Sequence, residues 1–146
     1  KRLIKCKKKD LINLVLDIEK YPQFVPFCYD AKIYENKDEG KLKKIIADLT
    51  IGKGPFKDTY KSDVAFDKKN DRIYVKNIEG PLNHLSNNWI FTDKLNGITE
   101  VTFDIDFEIK NKFLNSLMVV SFQFGLEKIA DAFQKRAESL FGSSKN

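Results

Sequence analysis

Between residues 29 and 110 the chain alternates apolar and polar positions with a period of two, and on both sides of that stretch the period lengthens to that of a helix. The alternation is clearest at its end. Val101, Phe103, Ile105, Phe107 and Ile109 fall on one side of an extended chain; Thr102, Asp104, Asp106 and Glu108 fall on the other. This predicts a strand with one buried and one wet face. Six such runs are expected, over 29–36, 42–51, 56–66, 72–78, 87–94 and 98–110, and a weaker alternation over 2–6 predicts an edge strand ahead of them. The separators carry turn chemistry: Lys37-Asp38-Glu39-Gly40, Gly52 to Pro55, Lys69-Asn70-Asp71, Gly80-Pro81 and Asn96-Gly97. Asn-Gly between two strands is the strongest short hairpin signal. Separators this short join antiparallel neighbours into one meander, because parallel pairs need long crossovers.

Ahead of the sheet, Leu11, Ile12, Leu14, Val15 and Ile18 recur at helical spacing behind Asp10, a suitable N-cap, so a helix is expected over 10–19. Pro22 and Pro26 then bracket Gln23-Phe24-Val25 and leave room for at most one further helical turn. After the sheet, Leu114, Leu117, Met118, Ser121, Gly125, Ile129, Ala132, Phe133, Ala137 and Leu140 recur at steps of three and four. They predict one long amphipathic helix over 113–141, with Gly142 as its C-cap. A curved antiparallel sheet of six to seven strands has an apolar face to cover, and this helix has an apolar stripe to bury. The expected fold class is therefore α+β, with the sheet wrapped around the last helix and two short helices after the first strand. A chain of 146 residues is expected to form one domain, 1–146, with one core and room for an internal cavity.

Charge changes this picture little. The net charge is +5 and the pI is near 9.1, a balance that invites nucleic-acid or anionic-membrane partners. Yet only three of the 26 basic residues are arginine: Arg2, Arg72 and Arg136. Lysine is a point charge without the bidentate fork that reads bases, so DNA is not an expected partner. The cluster Lys7-Lys8-Lys9 is the candidate contact for a membrane or ribosome surface. One histidine, His84, in an expected turn, excludes paired-His metal motifs, and Cys6 and Cys28 are too few for a zinc cluster. No metal and no catalytic cofactor are expected. Gly52-Lys53-Gly54 lacks the rest of a phosphate loop, and the most apolar stretch, 117–126, is too short to span a bilayer. The chain begins at Lys1, so a start methionine or a leader is expected to lie outside it.

Candidate chemistry lies on the apolar side. Ser121 and Gly125 place two small residues one turn apart in the middle of the last helix, which leaves room for a close strand or for a ligand. Aromatic residues make up 12% of the chain, twelve of them Phe, and many fall on inward positions or beside Pro22 and Pro26. Phe24, Val25, Phe27, Phe56, Tyr60, Leu82, Trp89, Phe91, Phe103, Phe107, Leu117, Met118, Ser121, Phe122 and Gly125 are the candidate lining of an apolar cavity between sheet and helix. An enzyme would need a general acid or base inside it; an inward Asp58 or Tyr60 is the candidate, and no catalytic residue is assigned.

The segment Asp17-Ile18-Glu19-Lys20-Tyr21-Pro22-Gln23-Phe24-Val25-Pro26-Phe27-Cys28 resembles the signature of the coenzyme Q-binding START-like family, part of the polyketide cyclase/dehydrase superfamily. Gly80-Pro81-Leu82 with Leu85 and Trp89-Ile90-Phe91, the strand from Val101 to Ile109, and Ala132-Phe133-Gln134-Lys135-Arg136-Ala137 resemble its later segments in the same order. Leu82 stands where that family often has Phe, and Gly52-Lys53-Gly54-Pro55 replaces a more aromatic loop. The resemblance implies a helix-grip (START/Bet v 1-like) fold with a deep cavity that binds ubiquinone or a related prenyl lipid without converting it, in support of respiration or quinone biosynthesis. Such a protein meets the membrane peripherally, from the bacterial cytoplasm or the mitochondrial matrix side. The family also contains the ribosome-association toxin RatA. That implies an alternative, a regulator that binds the large ribosomal subunit and blocks subunit association. The superfamily's aromatases and cyclases supply a third reading.

Overall fold

The computed structural model describes the backbone of residues 1–53, 56–79, 82–110 and 112–141, and the side chains of 1–52, 57–78, 83–108, 110 and 127–141. In chain order the elements are β1 (Arg2–Ile4), α1 (Lys8–Leu16), a 3-10 helix (Ile18–Gln23), β2 (Cys28–Asp38), β3 (Leu42–Lys53), β4 (Phe56–Asp67), β5 (Arg72–Glu79), β6 (Leu82–Asp93), a single 3-10 turn (Leu95–Gly97), β7 (Thr99–Ile109) and α2 (Lys112–Phe141). The strands form one antiparallel sheet in the order β1-β7-β6-β5-β4-β3-β2. It is the expected meander, with β1 added at the edge beside β7.

Register carries the apolar positions to one face. Leu49 lies opposite Tyr60, Val64 opposite both Ile45 and Val75, and Trp89 opposite both Ile73 and Phe103. Irregularities in β2 at Cys28/Asp30 and Ile33/Glu35, and between β4 and β5 at Lys61/Ser62, bend the sheet locally. At the β6–β7 hairpin, Asn96 (φ 63°) and Gly97 (φ 71°) both take the left-handed conformation that a tight turn between twisted strands requires.

The concave face packs on α1 and on the second half of α2. Leu11, Val15, Ile45, Ile73, Phe133 and Ala137 belong to the buried cluster. The chain ends are tied together there. Arg2 pairs with Glu127 (2.9 Å) and Asp131 (2.6 Å) on α2, and the buried Thr99 hydroxyl donates to the Cys6 carbonyl at 2.7 Å.

Several expectations change. The first helix starts at Lys8, not Asp10, and ends at Leu16; Asp10 lies in its first turn, where a carboxylate favours the helix dipole. Lys8 is held there by Asp71 (2.7 Å) and Asp93 (3.0 Å), a tertiary contact invisible to local spacing. His84 lies in β6 rather than in a turn, since β6 begins at Leu82 and His84 pairs with Glu108. Leu140, placed on the apolar stripe, is 46% exposed, and Phe141 packs on the core instead. Leu114, Leu117, Met118, Ser121, Gly125 and Gly142 lie outside the described side chains.

Candidate functional site

A cavity of about 250 Å³ lies between the concave face of the sheet, the end of α1, the stretch from Tyr21 to Cys28, and α2 at Ile129 and Phe133. Most of its wall is aliphatic or aromatic: Leu49, Ile51, Val64, Ile73 and Val75 from the middle strands, Trp89 from β6, Phe103 and Ile105 from β7. Trp89 is central. Its ring lies 4.5 Å from Phe103 and 5.2 Å from Phe133, both edge-on, which packs three large rings without a face-to-face clash. Lys128 lines the cavity and is exposed, so the space reaches the surface beside α2.

Four polar side chains in the wall spend their donors within the protein. Tyr21 Oη donates to the Val15 carbonyl. Ser62 Oγ donates to the Ala47 carbonyl at 3.2 Å, and Cys28 Sγ to the Asp30 carbonyl at 3.6 Å. Asn87 Nδ2 donates to the Asp104 carbonyl at 2.7 Å, while Asn87 Oδ1 accepts from Trp89 Nε1 at 2.8 Å. Tyr60 differs: it lines the cavity, among the described residues its hydroxyl has no hydrogen-bond partner, and that hydroxyl is not among the atoms sealed from solvent. Burial pushes the Cys28 thiol up to about 11 and holds the Tyr21 and Tyr60 phenols well above their ordinary range. These three groups are neutral at physiological pH, so they give the cavity no charge and no acid or base tuned near neutrality.

One wall is a short strap. The 3-10 helix contains Pro22, and Phe27 follows with a positive φ of 69°, uncommon for a bulky residue; its carbonyl accepts from the Gly52 N–H at 3.0 Å. Phe24 meets Phe133 and Tyr21 edge-on on the outer side of the strap. The Arg136 guanidinium lies over the Phe24 ring at 5.1 Å, and its Nη2 donates to Gln23 Oε1 at 2.9 Å. A second, open groove runs outside the strap and shares Val25, Pro26 and Lys128 with the cavity.

Of the sequence candidates, Val25, Phe27, Tyr60, Trp89 and Phe103 line the cavity. Phe24 lines the outer groove instead, because the strap turns its ring toward Arg136. Phe91 does not line the cavity; it is buried in the core and stacks parallel to Trp89 at 6.2 Å. Phe107 is half-buried beyond it. Phe56, Leu82, Leu117, Met118, Ser121, Phe122 and Gly125 lie outside the described side chains. In the basic cluster, Lys7 and Lys9 are exposed, whereas the ammonium of Lys8 is engaged by Asp71 and Asp93, whose hydrogen bonds raise its pKa. Asp58 is exposed and accepts from the Thr59 N–H, so it supplies no acid to the interior. His84 is exposed and pairs with Asp106 at 3.1 Å.

Tyr21, Cys28, Ser62 and Asn87 were not among the candidates. Parity was the available signal: Ser62 shares the parity of Tyr60 and Val64, and Asn87 that of Leu85 and Trp89, so each polar residue stands where the pattern points inward. Among the described residues no group of three or more His, Cys, Asp or Glu side chains can hold a metal ion, and no helix is long and apolar enough to cross a membrane.

Sheet, strap, helix and apolar cavity together define a helix-grip domain of the START type. Residues 8–134 match the family described as polyketide cyclase/dehydrase and lipid transport, and the chain belongs to it. It is 32% identical over 142 residues to a ribosome association toxin RatA of Rickettsia prowazekii, covering 95% of this chain and 94% of that one. It is 29% identical over 144 residues to a mitochondrial coenzyme Q-binding protein of Dictyostelium discoideum, covering 97% of this chain and 68% of the relative. Among solved structures, an 18 kDa protein from Caulobacter crescentus superposes with a TM-score of 0.77 at 25% identity, over 95% of this chain and 93% of that one. The Zhui aromatase/cyclase from Streptomyces superposes with a TM-score of 0.76 at 14% identity, over 94% and 90%, a likeness of fold.

Proposed function

We propose that this protein binds a hydrophobic lipid, ubiquinone or a related prenyl quinone, in the cavity behind the strap, and carries it without chemical change. The observation that supports this best is the lining: an apolar cavity about Trp89, with Tyr21, Cys28 and Tyr60 kept neutral by burial. Burying the apolar part of a quinone there contributes about 25 cal/mol per Å². A volume of about 250 Å³ suits a quinone ring with the first part of its tail, the remainder leaving past the strap or the exposed end at Lys128. The relation to a coenzyme Q-binding protein agrees with this reading. The lipid is taken up and released at a membrane face, in the bacterial cytoplasm or on the matrix side of a mitochondrion.

The test uses the single tryptophan, Trp89, as reporter. Protein purified from a quinone-producing host is expected to carry extractable quinone, and a short-tailed ubiquinone added to stripped protein is expected to quench Trp89. Empty protein with an unresponsive Trp89 overturns the proposal.

A second reading, a RatA-like regulator of ribosomal subunit association, is favoured by the match to a toxin over nearly the whole length of both chains. It predicts co-sedimentation with the large ribosomal subunit at low salt that is lost at high salt, as a phosphate-dominated contact requires. Absence of pelleting at low salt excludes it.

A further inference from the structure

We infer that the cavity selects its ligand through one hydrogen bond, donated by the Tyr60 hydroxyl to a neutral acceptor oxygen on the ligand, so that the ligand class is carbonyl- or ether-bearing lipids bound head-inward. The inference rests on the lipid reading above and adds how the head is recognised. Its basis is the unequal state of the polar groups in the wall. Tyr21, Cys28, Ser62 and Asn87 each donate to a backbone carbonyl within the protein. Tyr60 sits among them on β4, opposite Leu49, and its hydroxyl alone of these five has no partner among the described residues.

The Tyr60 hydroxyl opens onto the cavity, and a ligand that displaces water from it must return an acceptor, since leaving a polar group unpaired is costly. Among the described residues none accepts from this hydroxyl, and the ligand fills that role. The phenol remains protonated well past neutrality because burial opposes its charged form. It therefore acts as a donor and favours an acceptor over a second donor. A free acid is not the match for this position. Among the described lining residues the cation is Lys128, which is exposed on α2, so a carboxylate belongs at the surface end with its tail inward. A quinone or ketone head belongs at Tyr60.

The experiment compares wild type, Tyr60→Phe and Lys128→Ala with three probes: a short-tailed ubiquinone, an alkylbenzene of the same tail length without oxygen, and a fatty acid of that length. Ubiquinone is followed by Trp89 quenching, the other two by competition with a fluorescent apolar dye. Tyr60→Phe is expected to weaken ubiquinone about tenfold, the worth of one hydrogen bond, and to leave the alkylbenzene unchanged. The carbonyl stretch of bound ubiquinone is expected to move to higher frequency in Tyr60→Phe, a signature that a purely structural tyrosine does not produce.

Equal weakening of ubiquinone and alkylbenzene, or no weakening of either, overturns the inference while quinone binding by wild type keeps the lipid reading intact. Loss of ubiquinone binding in Lys128→Ala with Tyr60→Phe unaffected overturns it in favour of head-outward binding. Wild-type protein that binds none of the three probes overturns both the inference and the lipid reading. Matching far-ultraviolet circular dichroism and urea midpoints establish that each variant is folded.

Discussion

The indole Nε1 of Trp89 donates to Asn87 Oδ1 at 2.8 Å, two residues back on the same strand and the same face. Asn87 in turn donates through Nδ2 to the Asp104 carbonyl on β7 at 2.7 Å. One buried amide thus satisfies the tryptophan that centres the cavity and locks β6 to β7. Replacing Asn87 by Ala leaves the indole N–H unpaired and frees that carbonyl. Urea denaturation is expected to show a loss of about 1–3 kcal/mol. Trp89 emission is expected to shift in the folded state. A variant as stable as the parent would show that water replaces the amide.

The strap offers a kinetic prediction. Arg136 stacks over Phe24 and bonds Gln23, tying the Pro22–Pro26 stretch to α2. Arg136→Ala is expected to cost about 1 kcal/mol of stability. Its larger effect is expected in stopped-flow quenching of Trp89, with ubiquinone entering and leaving faster while the equilibrium constant changes little. Unchanged rates would mean that the ligand passes elsewhere.

Cavity filling separates binding from folding. Val75 lines the cavity, opposite Val64 and Asn87 across the sheet. Val75→Phe places a ring in open space instead of forcing it into a packed core, so the thermal midpoint is expected to hold or rise. Ubiquinone affinity is expected to fall at least about tenfold, read by quenching.

Alkaline pH tests the two buried thiols. Cys6 and Cys28 are both raised from 9.0 to about 11, in each case chiefly by burial. The folded chain holds these protons more tightly than the unfolded chain, so their contribution is complete below about pH 9 and is lost as pH rises through about 11. Urea midpoints measured across that interval are expected to fall, and to fall less in a Cys6→Ala/Cys28→Val double variant. Below that interval both native thiols are expected to react slowly with a disulfide reagent and rapidly after unfolding.

Much of the fold was legible because one face of the sheet is wet. On β7 the exposed Asp104, Asp106 and Glu108 alternate with less accessible Phe103, Ile105 and Phe107, and such contrast sets both strand and register. Asn96-Gly97 announced its hairpin because only a few residues accept φ near +60°. The start of α1 was less legible. Asp10 has the side chain of a cap, but Lys8 is fixed by Asp71 and Asp93, both distant in sequence. Gly80-Pro81 suggested a turn extending past His84; the pairings of Leu82 with Ile109 and His84 with Glu108 begin β6 earlier. In the cavity, large rings were conspicuous and small polar residues were not. Ser62 and Asn87 face inward by the parity that marked Tyr60 and Trp89, but their hydrogen bonds depend on neighbouring strands and only the three-dimensional register supplies them.

The pairing of Arg2 with Val101 sets an order of events for a chain emerging from its N-terminus. β1 is made first, yet its partner strand is made last, and the α2 carboxylates that hold Arg2 come later still. The β2-to-β6 meander closes through neighbouring hairpins as it appears, whereas β1 waits with its backbone edge unpaired. Contacts of such long sequence separation form slowly. The clasp between the two ends can therefore close only after the last helix has been made, and until then the apolar face of the sheet lacks its α2 cover.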